Sequence, residues 1–186
     1  MAYSIRKATF EDRDRIEQLI AQSARGLSRE DYSDAQIEAA IVTVFGVDTD
    51  LIEDGTYFVV ESDDALAGCG GWSRRKTLFG GDQFTVRDAT YLDPETEPAK
   101  IRAFFVHPDH ARKGIAKAIL ERCEAEAAAY SFRAMELMAT MPGVKFYQAC
   151  GYVEQGDYDL ELIEGVKLEL VPMRKELEGK AADERK

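Results

Sequence analysis

Between Lys100 and Thr140 the chain runs from an apolar stretch, KIRAFFVHP, through a glycine-bearing turn into a helix-like repeat, and out into a second apolar stretch, AMELMAT. Two strands joined by a helix cannot close as a hairpin; within one sheet they lie parallel or cross over. No other passage limits the fold as much. Pro108 ends the first strand. From Gly114 to Tyr130, Ile115, Ile119, Cys123 and Ala127 recur at every fourth position and form one buried stripe, while Lys117, Glu121 and Glu124 keep to the wet face.

The flanking segments contain more strands than a helical bundle accommodates. Residues 3–8, YSIRKA, alternate as a short strand. Thr9 and Asp12 then make a variant capping box ahead of a helix that carries Ile16, Leu19, Ile20 and Leu27. Ser33 and Gln36 cap a second helix, with Ile37, Ala40, Ile41 and Val44 on one face and a stop at Gly46. TYFVVES and ALAGCGGWS, separated by Asp63 and Asp64, read as a hairpin. After the crossover, PGVKFYQACG is a short helix between Pro142 and Gly151, and YVEQGDYDLEL with VKLELVPM is a last pair of strands. Residues 74–100 contain Gly80, Gly81, Pro94 and Pro98 and match no element; loops this long are often functional or mobile. The class is α/β or α+β with a mixed sheet, one domain over residues 1–175 followed by a polar tail over 176–186.

Composition narrows the functions. A chain of 186 residues is long enough for one real core. Its formal charge of −11 repels phosphate backbones, which argues against general nucleic-acid binding and tolerates a cationic small molecule. There is no apolar run near the ~20 residues that span a bilayer. The start, MAYSIRKATFEDRDRI, lacks an apolar signal core, so a cytoplasmic protein without a membrane partner is expected. Cys69, Cys123 and Cys150 form no CxxC pair, and His107 and His110 are too few to imply a metal.

Against this acidic background the stretch VHPDHARKGIAKAIL gathers Arg112, Lys113 and Lys117 around Gly114 at a helix start. A strand entering a glycine turn and then a helix presents free N–H groups and the positive end of the helix dipole, a geometry that binds anions. Gly114 and the small Ala116 leave the approach open. A solvated cluster of basic residues fits this stretch equally well. No GxxxxGK[ST] is present and GCGG at 68–71 is not GxGxxG, so nucleoside triphosphate and dinucleotide sites lose support.

The same stretch, followed by MPGVKFYQACGYVEQGDY, resembles the GNAT superfamily of acyl-CoA N-acyltransferases. The order of elements agrees along the whole chain. The resemblance implies a mixed, largely antiparallel sheet of six to seven strands with about four helices. It further implies acetyl-CoA as cosubstrate, with its pyrophosphate on Arg112, Lys113, Gly114, Ile115, Ala116 and Lys117 and its pantetheine arm along Phe104, Phe105 and Val106. Phe104 and Phe105 are also what any sheet core contains, so only their backbone is assigned a role. Ala111 stands where the family has Arg or Gln; this removes a side-chain contact and keeps the backbone cradle. By the resemblance, Thr140 occupies the place of a common asparagine and would contact the coenzyme there. A homodimer also fits the resemblance.

Acetyl transfer to an amine needs a neutral amine and a proton for the leaving thiolate. An alkyl amine with a pKa of about 10 must lose a proton to a base or to water, and a thiolate with a pKa of about 8.5 leaves more readily beside an acid. By resemblance, Tyr147 is that acid; without it, an aromatic packed on the sheet is the simpler reading. Glu61, Asp88 and Glu136 are candidate bases beside a water chain. The acceptor, a primary amine of a small molecule or peptide, is expected near GLSREDYSD and ELIEG, where Glu30, Asp31 and Asp34 attract a cation and Tyr32 forms a wall. The alternatives are a CoA-binding regulatory module without chemistry and an interaction domain that keeps only the fold.

Overall fold

The computed structural model describes residues 2–63 and 65–178. The chain opens with β1 (Ser4–Lys7), α1 (Arg13–Leu27), α2 (Asp34–Thr43) and α3 (Thr49–Glu53), then forms the hairpin β2 (Tyr57–Ser62) and β3 (Ala65–Ser73). The crossover follows as β4 (Ala99–Val106), α4 (Ile115–Ala129) and β5 (Ala134–Thr140). Last come α5 (Val144–Ala149), β6 (Val153–Glu154), β7 (Tyr158–Ile163) and β8 (Val166–Glu176).

Local chemistry sets the starts of the first two helices. Thr9 N–H donates to Asp12 Oδ2 at 2.8 Å, and Ser33 N–H donates to Gln36 Oε1 at 2.9 Å while Gln36 N–H returns the bond to Ser33 Oγ. Both capping boxes satisfy N–H groups that a helix leaves open. The sheet order is β1-β2-β3-β4-β5-β8-β6, with β7 also on β8, and every pairing is antiparallel except β4 with β5. The architecture is the mixed, largely antiparallel one expected, with eight strands and five α-helices among the described residues. The extra helix is α3, too short to show a period. The extra strand arises because YVEQGDYDLEL breaks at residues 155–157 into β6 and β7, both laid along β8. β8 runs to Glu176, one residue into the expected tail, of which 179–186 lie outside the described residues, as does Asp64 of the hairpin turn.

Alternation along the strands divides the interior. Phe58 and Val60 of β2 face α4 with Ile119 and Cys123, while Tyr57 and Val59 face α1 with Ile16 and Leu19. A third cluster sets α2 residues Ile37 and Ala40 against Leu160, Leu168 and Leu170 of β7 and β8. The GCGG run in β3 allows close approach: a Cβ on Gly70 would lie 2.6 Å from the Phe104 ring, and one on Gly68 2.6 Å from Ile115. Residues 74–98 are pinned over α3. Arg75 bonds Asp54 at 2.6 and 2.8 Å, Arg87 bonds Asp48 and Asp50, and Asp82 accepts from Thr49 N–H at 2.9 Å.

Candidate active site

β4 and β5 share only two register pairs, Ala99 with Met135 and Lys100 with Glu136, although both strands continue well beyond them. The backbone of β4 bends at this point: Ala103 has a φ of +56°, and the pairing with β3 shifts between Cys69 and Gly71. Such a bulge adds an unpaired residue and strengthens the local twist, so β4 leaves β5, and beyond Lys100 this edge has no ladder partner among the described residues. Along the parting runs a cleft of ≈ 1110 Å³. Phe104, Phe105 and Val106 line it, as do Thr140 and Tyr147 from the other side.

The cradle sits where β4 passes into α4. Arg112 and Gly114 both adopt left-handed backbone, at φ +61° and +82°, and turn the loop back on itself. The first helical bond runs from Ala118 N–H to Gly114 O at 3.0 Å, leaving the N–H groups of Ile115, Ala116 and Lys117 without a helical acceptor. A Cβ built on Gly114 meets nothing within 4 Å, so the space over these amides is open to a ligand. Arg112, Gly114, Ile115, Ala116 and Lys117 all line the cleft. Lys113 does not; its Nζ donates to Asp109 O at 2.9 Å, folded back on its own loop. The donor set of open amides, dipole and two cations fits a pyrophosphate.

Tyr147 is 7% exposed, with its ring against Phe146, Tyr152 and Phe104 at centroid distances of 5.0, 5.7 and 6.3 Å. Burial, followed by the Cys123 and Cys150 thiols, pushes its phenol well above the ordinary tyrosine value. The phenol therefore keeps its proton throughout the physiological range.

Tyr32 lies elsewhere than expected. It is buried, it is not among the residues lining the cleft, and its hydroxyl donates to Glu169 O at 2.6 Å while accepting from Met141 N–H at 2.8 Å. It is a strut tying the loop after α1 to β8 and to the end of β5; its neighbours Glu30 and Asp31 do reach the cleft. The candidate bases are placed outside it as well. Glu61 is held by Arg6 and Arg15, Asp88 caps Thr90 N–H in the 74–98 segment, and Glu136 pairs with Lys100. Lys145 and Lys175 also line the cleft and were not anticipated, and Lys175 is already bound to Glu124. Neither stands at helical spacing from Tyr147, Lys145 being two residues away, so nothing in the sequence pattern marks them. The apolar walls Phe45 and Phe79 were missed too, because they come from loops.

A long cleft at a strand parting, with an anion cradle at one end, suits a transferase whose donor carries phosphates on a flexible arm. The chain belongs to the acetyltransferase (GNAT) family, whose family model matches residues 14–152. It is an acetyl-CoA-dependent acetyltransferase. No protein of curated function matches it. Among solved structures it is similar to a GCN5-related N-acetyltransferase from Rhodopseudomonas palustris, with 18% identity, 95% of this chain and 97% of that chain covered, and a TM-score of 0.69. It is similar to the PaiA N-acetyltransferase of Thermoplasma acidophilum in complex with coenzyme A, with 16% identity, 95% and 99% covered, and a TM-score of 0.62. The yncA putative acetyltransferase of Salmonella typhimurium with its cofactor acetyl-CoA gives 16% identity, 98% of both chains covered and a TM-score of 0.60. At these identities the likeness is one of fold.

Proposed function

We propose that the cleft moves the acetyl group of acetyl-CoA directly onto a primary amine of a small molecule or peptide. The observation that carries this reading is the placing of an open amide cradle and a buried, protonated phenol along one cleft, with the free edge of β4 between them. The amides of Ile115 to Lys117, with Arg112 and Lys117, would hold the pyrophosphate, and Phe104 to Val106 would lay unpaired backbone beside the pantetheine arm. When bound, acetyl-CoA supplies the thioester, the activated acetyl group.

Tyr147 is the proton donor beside the leaving sulfur. Its pKa lies well above the ~8.5 of a thiol, so full proton transfer from it is uphill; its main contribution is a hydrogen bond that strengthens as charge grows on sulfur. The amine must arrive neutral. Glu30 and Asp31 are the carboxylates lining the cleft on the side of α1, where they would draw in an ammonium, and water at the open mouth would carry its proton away.

The test is amine-dependent release of free CoA thiol from acetyl-CoA, followed with Tyr147→Phe beside the wild type. Release that requires an amine and falls sharply in the variant is expected. Acetyl-CoA binding with no amine-dependent release from any of a broad amine set would contradict the reading and favour a module that only binds CoA.

A further inference from the structure

Away from the cradle, the cleft is walled by Val44, Phe45, Phe79, Met138, Met141 and Leu170, all members of the cluster around α2 and β8. Polar recognition here is sparse. Arg102 lines the cleft, but its side chain is fully covered: Nη2 is paired with Asp48 and donates to Gly80 O, and Nε and Nη1, without a partner among the described residues, are buried beneath the surface that an acceptor carboxylate would touch. The other cations of the cleft lie on the loop before α4, on α4, on α5 and on β8, around the cradle and Tyr147. Glu30 and Asp31, adjacent in sequence, are the carboxylates of the cleft on the side of α1; Glu121 and Glu124 line it on α4, beside the cradle, and are already paired with Lys117 and Lys175.

Phe79 has a second side. Its ring lies against Phe84 and Tyr158 at centroid distances of 5.0 and 6.1 Å, and it is the residue shared with a separate groove of ≈ 640 Å³ between α2, the 74–98 segment and β7. Val42 and Val86 on that groove are 71% and 73% exposed, and Tyr158 is 43% exposed. These three line one groove together with Leu162, and apolar side chains gathered in one exposed groove suit a ligand that covers them.

We infer that the acceptor is a primary amine at the end of an extended apolar body, and that the groove beyond Phe79 takes its tail. The inference rests on the acetyl-transfer reading above. The ammonium enters past Glu30 and Asp31, the first carbons lie along Phe45 and Phe79, and the rest crosses Phe79 onto Val86 and Leu162. An amino acid would leave its carboxylate without a partner there, and a polyamine would put a second charge against the apolar wall.

The experiment measures kcat/KM with acetyl-CoA for butylamine, hexylamine and octylamine, with spermidine and phenylalanine as competitors in chemistry. Burial of one methylene is equivalent to about fourfold, so the series should rise on the order of a hundredfold from butylamine to octylamine. Val86→Glu, on an exposed loop, should cut the ratio of octylamine to butylamine by about tenfold or more, because it sets a charge beside the tail. A flat series, a preference for spermidine or phenylalanine, or a ratio unmoved by Val86→Glu overturns the inference while acetyl transfer stands. Where no amine turns over, calorimetric Kd values for butylamine and octylamine, with CoA and without it, decide instead. A steep fall in Kd with length that Val86→Glu removes supports the groove, and equal values overturn it; acetyl-CoA binding, followed separately, reports on the reading beneath.

Discussion

The end of the cleft proposed for the donor presents mainly peptide groups: the amides after Gly114 and the unpaired edge of β4, with left-handed turns at Arg112 and Gly114. The end proposed for the acceptor presents side chains, from α1, from the loop after α2, from the 74–98 segment and from β8. Backbone contacts depend on chain path, and side-chain contacts on residue identity. A cradle built of peptide groups therefore stays open with Ala at position 111.

Breaking the donor end should have the largest effect. Gly114→Val forces a branched side chain onto a left-handed residue, at a cost of about 1–2 kcal/mol, and puts its methyls over the amides. Calorimetry should find acetyl-CoA affinity down by roughly a hundredfold or more while circular dichroism still reports a folded protein. Next comes Tyr147→Phe, which should lower kcat by about a hundredfold, the usual scale of one proton donor, with the Kd for acetyl-CoA unchanged. Because burial raises this phenol, kcat/KM in the wild type should climb as the amine deprotonates from pH 7 to pH 10 and show no alkaline fall within that range. A fall near an ordinary tyrosine pKa of about 10 would place the phenol in water.

Tyr32→Phe probes the frame between the two ends. It leaves Met141 N–H without its acceptor and Glu169 O without its donor, so thermal unfolding should report a loss of about 1–3 kcal/mol, with the KM for the amine raised more than that for acetyl-CoA. The smallest effect sharpens the cradle itself. Lys117→Ala should weaken acetyl-CoA several-fold, and less at high salt, whereas Lys113→Ala, whose ammonium is turned onto Asp109, should change the Kd by less than about twofold.

The two ends also differ in how legible they were. Ile115, Ile119, Cys123 and Ala127 announce α4, and Gly114 ahead of them announces the cradle, because a helix start and its free amides are local in sequence. The role proposed for Tyr147 rests on the family pattern, beside its burial against the cleft. The acceptor end was not legible, since its walls come from loops whose order is set by distant partners: Phe79 is held in a segment that Arg75 and Arg87 fasten to Asp54, Asp48 and Asp50. Those pairings leave no periodic trace. Tyr32, expected as a wall of the acceptor pocket, is a strut for a related reason: its hydroxyl is consumed by two backbone groups far along the chain, which its local sequence does not show. Thr49 to Glu53 forms one helical turn and a little more, shorter than any repeat that would reveal it.

The most direct test of the account is a calorimetric titration of the protein with acetyl-CoA and, in parallel, with S-acetylpantetheine, which keeps the thioester and arm but lacks the pyrophosphate. Acetyl-CoA should bind at about micromolar Kd and the truncated thioester at least about a hundredfold more weakly. Equal affinity for the two, or no binding of acetyl-CoA, would contradict the cradle at Gly114.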